Sequence, residues 1–135
     1  PDELSLYVND GGSWSQRGKA TRFRRYTMRI DGFVSVNAPL SGGELVTKPL
    51  TFTGSKLAMN FATSAAGSVR VEFQNESGKP MEGYALGDCP EIFGDEIDRV
   101  VTFKRGSDLG HLAGKAIRLR FVLTDADLYS IQFRP

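Results

Sequence analysis

The sequence predicts an all-β fold, a jelly-roll-like sandwich of two antiparallel sheets with about nine strands. Three observations predict this class. Apolar and polar residues alternate in short runs, as they do along strands with one buried and one solvated face. Clusters of Gly, Asp, Asn and Ser separate these runs, as in chains built from hairpins. Helical spacing is nearly absent, and 135 residues of which 40% are hydrophobic suffice for one domain.

The predicted strands follow one another closely along the chain. Alternation is clearest at residues 68–74, where the odd positions are apolar and the even positions are polar, and it recurs at 56–62, 116–123 and 128–133. This density of short strands is typical of sandwiches and jelly rolls. In chain order, the nine predicted strands are 3–8, 22–30, 33–36, 45–52, 56–62, 68–74, 99–104, 116–123 and 128–133.

Turn signals separate most of these strands. In order, they are Asp31-Gly32, Ser41-Gly42-Gly43, Thr53-Gly54-Ser55, Asn75-Glu76-Ser77-Gly78 and Thr124-Asp125-Ala126-Asp127. Each of these five segments can form a hairpin turn or another short connection between strands. Residues 108–113 predict one short helical turn, which Gly114 ends.

Two long segments, residues 11–20 and 81–98, cannot be assigned to strands from their sequence. Loops of that length are commonly functional. The first of them separates strand 3–8 from the other strands. We therefore expect two parts, an N-terminal strand and loop at 1–20 and a β-sandwich module at 21–135.

The near-zero net charge of +1 hides two opposed charged segments. The basic segment holds Arg17, Lys19, Arg22, Arg24, Arg25 and Arg29; the acidic segment holds Glu82, Asp88, Glu91, Asp95, Glu96 and Asp98. Guanidinium groups bind sulfate, carboxylate or phosphate bidentately, so the basic segment is a candidate site for an anionic ligand. The alternative is that the two segments face each other or only solvate the surface.

Trp14 and Tyr84 are candidate stacking platforms, because each lies in a long polar loop. Either ring could instead fold back and anchor its loop. Basic and aromatic residues also alternate around Phe23 and Tyr26, as in nucleic-acid platforms. One face of that strand must be buried, however, and Phe23 or Tyr26 is expected to supply the inward side chain. We therefore expect no nucleic-acid partner.

Catalytic and membrane signatures are absent from the sequence. One cysteine, Cys89, and one histidine, His111, leave little for thiol or metal chemistry, and no Gly-x-Ser-x-Gly or His-Glu-x-x-His motif occurs. We expect no catalytic residue, metal ligand or cofactor, although the acidic segment leaves room for a structural Ca²⁺. A pair of acids in an independent small hydrolase is a minor alternative. No apolar stretch is long enough to cross a bilayer, so no membrane partner is expected.

Several segments resemble one bacterial protein group. They are 24–36 (RRYTMRIDGFVSV), 43–52 (GELVTKPLTF), 63–72 (TSAAGSVRVE), 93–95, 112–115, 119–121 and 125–129. In these segments the chain resembles the C-terminal β-sandwich region of family-32-like glycoside hydrolase proteins, in which a five-bladed propeller carries the glycosidase site. Residues 3–8 resemble the last propeller strand, which would make 1–20 a remnant of that propeller.

The resemblance implies a module appended to a secreted, sugar-processing enzyme. On this hypothesis the chain is a non-catalytic carbohydrate-binding module, extracellular or periplasmic, and its partners are a poly- or oligosaccharide with anionic groups and a glycosidase catalytic domain. Trp14 and Tyr84 would stack on sugar rings, and Arg17, Arg22, Arg24 and Arg25 would bind polar or anionic groups. The alternative is a purely structural domain that buttresses the propeller and binds no ligand. An exposed apolar patch on a sheet face would favour that alternative.

Overall fold

The computed structural model describes residues 2–10 and 22–135, which are nearly all β. The chain divides into two compact units, Pro1–Phe33 and Val34–Pro135. The described residues form seven strands, β1 (Glu3–Asp10), β2 (Arg22–Arg29), β3 (Val36–Ala38), β4 (Gly43–Val46), β5 (Lys56–Asn75), β6 (Asp95–Val100) and β7 (Ile117–Arg134), and two single-turn 3₁₀ helices, η1 (Leu86–Asp88) and η2 (Gly110–Leu112). Ala20, at the predicted domain seam, lies outside the described residues.

The first unit contains one antiparallel hairpin of β1 and β2. The strands pair without a register shift from Glu3 opposite Arg29 to Asp10 opposite Arg22. After β2 the chain turns at residues 30–33, where the Gly32 N–H donates to the Arg29 carbonyl at 2.9 Å. Asp31 takes a positive φ of 57° there, a conformation that Asp tolerates better than most residues. The Asp31-Gly32 turn signal is therefore confirmed.

The second unit is built on the long antiparallel pair of β5 and β7. The sheet has the order β3-β7-β5-β6, and β4 pairs with β7 as well. The register of β5 against β7 shifts between Thr63 and Ser68, so residues 64–67 form a bend that divides the ladder into two halves. Opposite this bend, Asp125 takes a φ of 42°. Counting the two halves of each long strand separately gives nine strand segments, the number that the sequence predicts.

Both halves of the ladder bury the side chains that the alternation predicts. The fully buried residues include Leu57, Met59, Phe61, Val69, Val71, Phe73, Ile117, Leu119, Phe121 and Leu123. They belong to one buried cluster, which joins the two halves of the ladder. Burial of apolar surface on this scale is the main favourable term in folding. The predicted all-β sandwich is therefore confirmed.

Some predicted boundaries were wrong by a few residues or more. The strand predicted at 33–36 is β3 at 36–38, that at 45–52 is the shorter β4, and that at 99–104 is β6, which begins at Asp95. The predicted helical turn at 108–113 is confirmed as η2. Its first N–H, on Gly110, donates to the side chain of Asp108 at 2.8 Å.

The loop before β6 covers the free edge of the second half of β5. Met81 donates its N–H to the Phe73 carbonyl at 2.9 Å, and Phe73 donates to the Tyr84 carbonyl at 3.0 Å. Further along, Val69 and Ile92 form an isolated β-bridge. An exposed strand edge is a template for unwanted pairing, which this irregular cover prevents. The segment predicted as an irregular loop is thus attached along its length to the sheet.

Candidate functional site

The structure places the sequence-predicted binding residues in separate parts of the molecule. Trp14 and Arg17 lie outside the described residues. Arg22, Arg24 and Arg25 lie on β2 in the first unit, where all three are exposed. The sixth residue, Tyr84, lies in the second unit, in the loop that covers β5.

The prediction of Tyr84 as an exposed stacking platform is wrong, because its side chain is only 3% exposed. Its ring lies 5.7 Å from that of Phe73 and 5.1 Å from that of Phe103, measured between ring centroids. Its hydroxyl donates to the Asp108 carbonyl at 3.2 Å. These contacts bury both the ring and its polar end, as is usual for a tyrosine in a core. Tyr84 therefore anchors its loop, the alternative role that its position allowed.

The pairing of β1 with β2 divides the arginines between the two faces of the hairpin. Arg25 lies directly opposite Tyr7. Because successive side chains of a strand point to opposite faces, Arg25 shares a face with Tyr7, whereas Arg22 and Arg24 share the other face. The three arginines therefore do not form a single cluster.

We call the first surface the Tyr7 face. It comprises Glu3, Ser5, Tyr7, Asn9, Phe23, Arg25, Thr27 and Arg29. Tyr7 is 71% exposed and Phe23 is 77% exposed. The expectation that Phe23 or Tyr26 supplies a buried side chain is wrong, because Tyr26 is also exposed, at 49%. The two residues are diagonal neighbours across the strands, a relation that brings Cβ atoms to about 7–8 Å and lets aromatic rings interact. The Tyr7 face thus presents two adjacent exposed rings.

Arg25 is held on the Tyr7 face by two neighbours from β1. Its Nε–H donates to Ser5 Oγ at 3.1 Å, and one Nη donates to Glu3 Oε1 in an ion pair. Both partners of this ion pair are about half-exposed, so the pair contributes little to stability. It does fix the direction of the guanidinium beside Tyr7. With five N–H donors, an arginine in this position can hydrogen-bond a ligand as well.

The opposite surface of the hairpin, which we call the Leu6 face, is largely apolar. It comprises Leu4, Leu6, Val8, Arg22, Arg24, Tyr26 and Met28. Leu6, Val8 and Tyr26 are each about half-exposed. Within the described residues, the hairpin is a sheet of only two strands. Such a hairpin has little stability by itself in water, so an apolar face of this kind is suited to contact with another surface.

Glu72 is the most deeply buried carboxylate described, although the alternation predicts a solvated side chain. Its oxygens accept hydrogen bonds from the Gln74 amide at 2.7 Å, the Leu86 N–H at 2.9 Å and Arg120 at 3.5 Å. Arg120 also contacts Glu44 at 2.5 Å. Burial alone would raise the pKa of Glu72, but these hydrogen bonds outweigh burial and lower it. This carboxylate links β5 to β7 and η1, and Arg120 extends the network to Glu44 of β4. A lowered pKa does not suit Glu72 to donate a proton at neutral pH.

Cys89 and His111 contact different groups. The Cys89 thiol is buried, accepts a hydrogen bond from the Val71 N–H at 3.3 Å and donates to the Pro90 carbonyl at 3.4 Å. Burial raises the pKa of this thiol, which disfavours the nucleophilic thiolate. His111 lies with its ring 5.5 Å from that of Tyr84. Cys89 is therefore a buried thiol of low reactivity.

In residues 2–10 and 22–135, no group of three or more His, Cys, Asp or Glu side chains is placed to hold a metal ion. No helix in the same ranges is long and apolar enough to span a bilayer.

Sequence reasoning missed Tyr7, Phe93 and the exposure of Phe23. Tyr7 and Phe23 become neighbours only through the hairpin register, which the long connection at 11–21 does not dictate. Phe93 is 70% exposed beside a shallow cavity at the bend of β5. Its signal is the alternation of Ile92, which is buried, with Phe93, which is not.

Comparisons of the chain with models of protein families, with curated proteins and with solved structures found no match. The candidate site is therefore defined by its geometry, and the Tyr7 face is the surface that best combines exposed aromatic rings with a positioned arginine.

Proposed function

We propose that this chain is a non-catalytic carbohydrate-binding module associated with a glycoside hydrolase, and that it binds a poly- or oligosaccharide carrying anionic groups. The observation that supports this most is the Tyr7 face, where Tyr7, Phe23 and Arg25 lie together and exposed. An exposed aromatic ring offers the C–H face of a sugar a flat apolar surface. A guanidinium beside it can bind a sulfate or carboxylate group bidentately.

The shape of the Tyr7 face favours an extended sugar chain over a single sugar. Tyr7 and Phe23 belong to different strands and follow one another diagonally across the hairpin. Two rings in this relation form a strip, on which consecutive sugar units can stack. Arg25, directly opposite Tyr7, would meet an anionic substituent of the same chain.

The charge of the Tyr7 face also favours an anion. It carries Arg25 and Arg29 against one carboxylate, Glu3, which gives two positive charges and one negative. Because Glu3 and Arg25 are exposed and Arg29 is partly exposed, salt screens these groups, and the affinity for an anionic sugar should fall as ionic strength rises.

Affinity electrophoresis tests the proposal directly. The full chain is run in gels that contain heparin, alginate or neutral dextran, beside Tyr7→Ala, Phe23→Ala and Arg25→Ala variants. We expect heparin or alginate to retard the wild type, and each aromatic substitution to weaken binding roughly three- to tenfold. Tyr26→Ala, on the Leu6 face, is the matched control and should migrate like the wild type. If no acidic polysaccharide retards the wild type, the proposal is rejected.

The partner and the location belong to the same proposal. On this proposal the chain is not catalytic, a glycosidase catalytic domain supplies the activity, and both are extracellular or periplasmic. The resemblance of residues 24–129 to the sandwich region of family-32-like glycoside hydrolase proteins supports this assignment. An assay of the isolated chain on the polysaccharide that retards it should release no reducing sugar.

The Leu6 face supports a second candidate, a structural domain that buttresses a propeller and binds no sugar. Leu6, Val8 and Tyr26 form a half-exposed apolar row on a sheet of two strands, which a further protein surface would cover. On this candidate, a Leu6→Ser, Tyr26→Ser double variant should bind less of a hydrophobic dye than the wild type. The Tyr7 face variants should then change migration in no polysaccharide gel.

A further inference from the structure

A shallow cavity of about 340 Å³ lies at the bend of β5 in the second unit. It is lined by Ala65, Ala66, Gly67, Ser68, Glu91, Phe93 and Thr124. Its volume is at the lower end of the range for small-molecule sites, about 300–1,000 Å³. The phenyl ring of Phe93 forms one side and is 70% exposed.

Phe93 is held in place by the residues on both sides of it. Ile92 is buried and exchanges two backbone hydrogen bonds with Val69, at 2.7 and 3.0 Å. The Gly94 N–H donates to Thr63 Oγ1 at 3.0 Å, and the Gly94 carbonyl accepts from the Thr63 N–H at 2.8 Å. The ring is therefore presented to solvent by an anchored backbone. A ligand that stacks on it orders little of the protein, which favours affinity.

The base of the cavity is formed by the bend itself. A Cβ atom on Gly67 would lie 2.7 Å from the Thr124 carbonyl oxygen and closer still to that of Asp125, so the two strands approach each other as only glycine allows. Ser64 Oγ accepts a hydrogen bond from the Ala66 N–H at 3.2 Å, which orders the bend. The small side chains of the bend leave the space in front of Phe93 open.

The groups around the cavity match the chemistry of a neutral sugar. We propose that this cavity is a second subsite, which binds an uncharged hexose unit by stacking on Phe93 and by hydrogen bonds to Glu91, Ser68 and Thr124; the inference rests on the proposed carbohydrate-binding function. A carboxylate accepts hydrogen bonds from sugar hydroxyls, and the two side-chain hydroxyls can donate or accept. Among the residues that the structure describes, no lysine or arginine lines the cavity, and Glu91 repels an anionic sugar. The subsite therefore differs in specificity from the Tyr7 face.

Affinity electrophoresis of the full chain in gels containing dextran, galactomannan or laminarin tests the subsite. At least one of these neutral polysaccharides should retard the wild type. Phe93→Ala should weaken that binding about tenfold or more, Phe93→Tyr should retain most of it, and Glu91→Gln should weaken it about threefold. Phe33→Ala is the matched control, since Phe33 is exposed to the same degree, at 69%. Thermal melting of each variant should match the wild type, because Glu91 and both phenylalanines are exposed.

The outcomes separate the subsite from the Tyr7 face. If acidic gels retard the wild type and no neutral gel does, the subsite is rejected and the proposed function stands. If a neutral gel retards Phe93→Ala as strongly as the wild type, the subsite is rejected as well. The subsite is supported if a neutral gel retards the wild type, Phe93→Ala abolishes this retardation and Tyr7→Ala does not change it. This conclusion holds even if acidic gels have no effect. If no gel retards the wild type, both the subsite and the proposed function are rejected.

Discussion

Replacing Glu72 with glutamine should lower the free energy of unfolding by about 2 to 4 kcal/mol at neutral pH. The carboxylate is buried and accepts hydrogen bonds from Gln74, Leu86 and Arg120. Hydrogen bonds to a charged group contribute about 1.5–3 kcal/mol, and an unsatisfied buried donor costs about 1–3 kcal/mol. The glutamine amide would place a donor against another donor. The loss stays below the sum of these effects because one acceptor oxygen remains and Arg120 keeps its contact with Glu44.

The destabilisation should depend on pH in a defined direction. Burial raises the pKa of Glu72, but the hydrogen bonds from Gln74, Leu86 and Arg120 outweigh burial and lower the pKa of this carboxyl in the folded chain below its ordinary value. A carboxyl whose pKa is lowered by folding stabilises the folded state fully above its unfolded pKa and loses this contribution as the pH falls through the folded value. The difference between wild type and Glu72→Gln should therefore shrink below about pH 4.

Urea denaturation followed by circular dichroism, at about pH 7 and about pH 3, measures both effects. In thermal melts the same loss should lower Tm by roughly 3 to 5 °C per kcal/mol. Glu76→Gln is the matched control, because Glu76 is exposed at the turn after β5, and it should change stability by less than about 0.5 kcal/mol. A Glu72→Gln variant as stable as that control, or a difference that stays constant between the two pH values, would refute this reasoning.

Two further stability measurements, by urea denaturation at neutral pH, test the core and the bend. Tyr84→Ala should cost about 3–5 kcal/mol through loss of core packing, whereas Tyr84→Phe should cost about 1 kcal/mol because it removes only the hydrogen bond to Asp108; equal costs would argue against a buried ring. Gly67→Ala should cost about 1–3 kcal/mol because its Cβ would press on the Asp125 carbonyl, whereas Gly87→Ala, with open space around it, should be nearly neutral. A neutral Gly67→Ala variant would contradict the close approach at the bend.

The inward faces of the long strands could be predicted from sequence because strand burial is a local pattern. In residues 68–74 every odd position is apolar, and Val69, Val71 and Phe73 are fully buried. The continuity of β5 and β7 could not be predicted in the same way. The residues around Asp125 have the composition of a hairpin turn. In the structure, Asp125 has a positive φ at a bend within β7, and the pairing of β5 with β7 continues on both sides of this bend.

Burial of polar and aromatic residues by distant segments escaped the sequence. Glu72 occupies a position that alternation assigns to solvent, but the loop that carries Leu86 folds over it. Tyr84 has polar and glycine neighbours typical of an exposed loop, but Phe73 and Phe103 lie against its ring. Both outcomes depend on contacts between residues that are separated in sequence. A local alternation of apolar and polar residues carries no information about such contacts.

Part of the candidate site was visible in the sequence. Arg25 could be singled out, because arginine suits anionic ligands wherever it is exposed. Its separation from Arg24 onto another face follows from strand geometry alone. Its neighbours Tyr7 and Phe23 could not be assigned, since they depend on the pairing register of β1 with β2.

Mapping of amide chemical shifts with a sulfated heparin fragment tests most directly whether the hairpin of the first unit binds anionic sugar. The isotope-labelled full chain is titrated at low ionic strength and again at about 0.5 M salt. We expect shifts concentrated in β1 and β2, led by the amides of Tyr7, Phe23 and Arg25, that decrease in high salt. Shifts confined to residues 34–135, or spectra that do not change, would contradict the account.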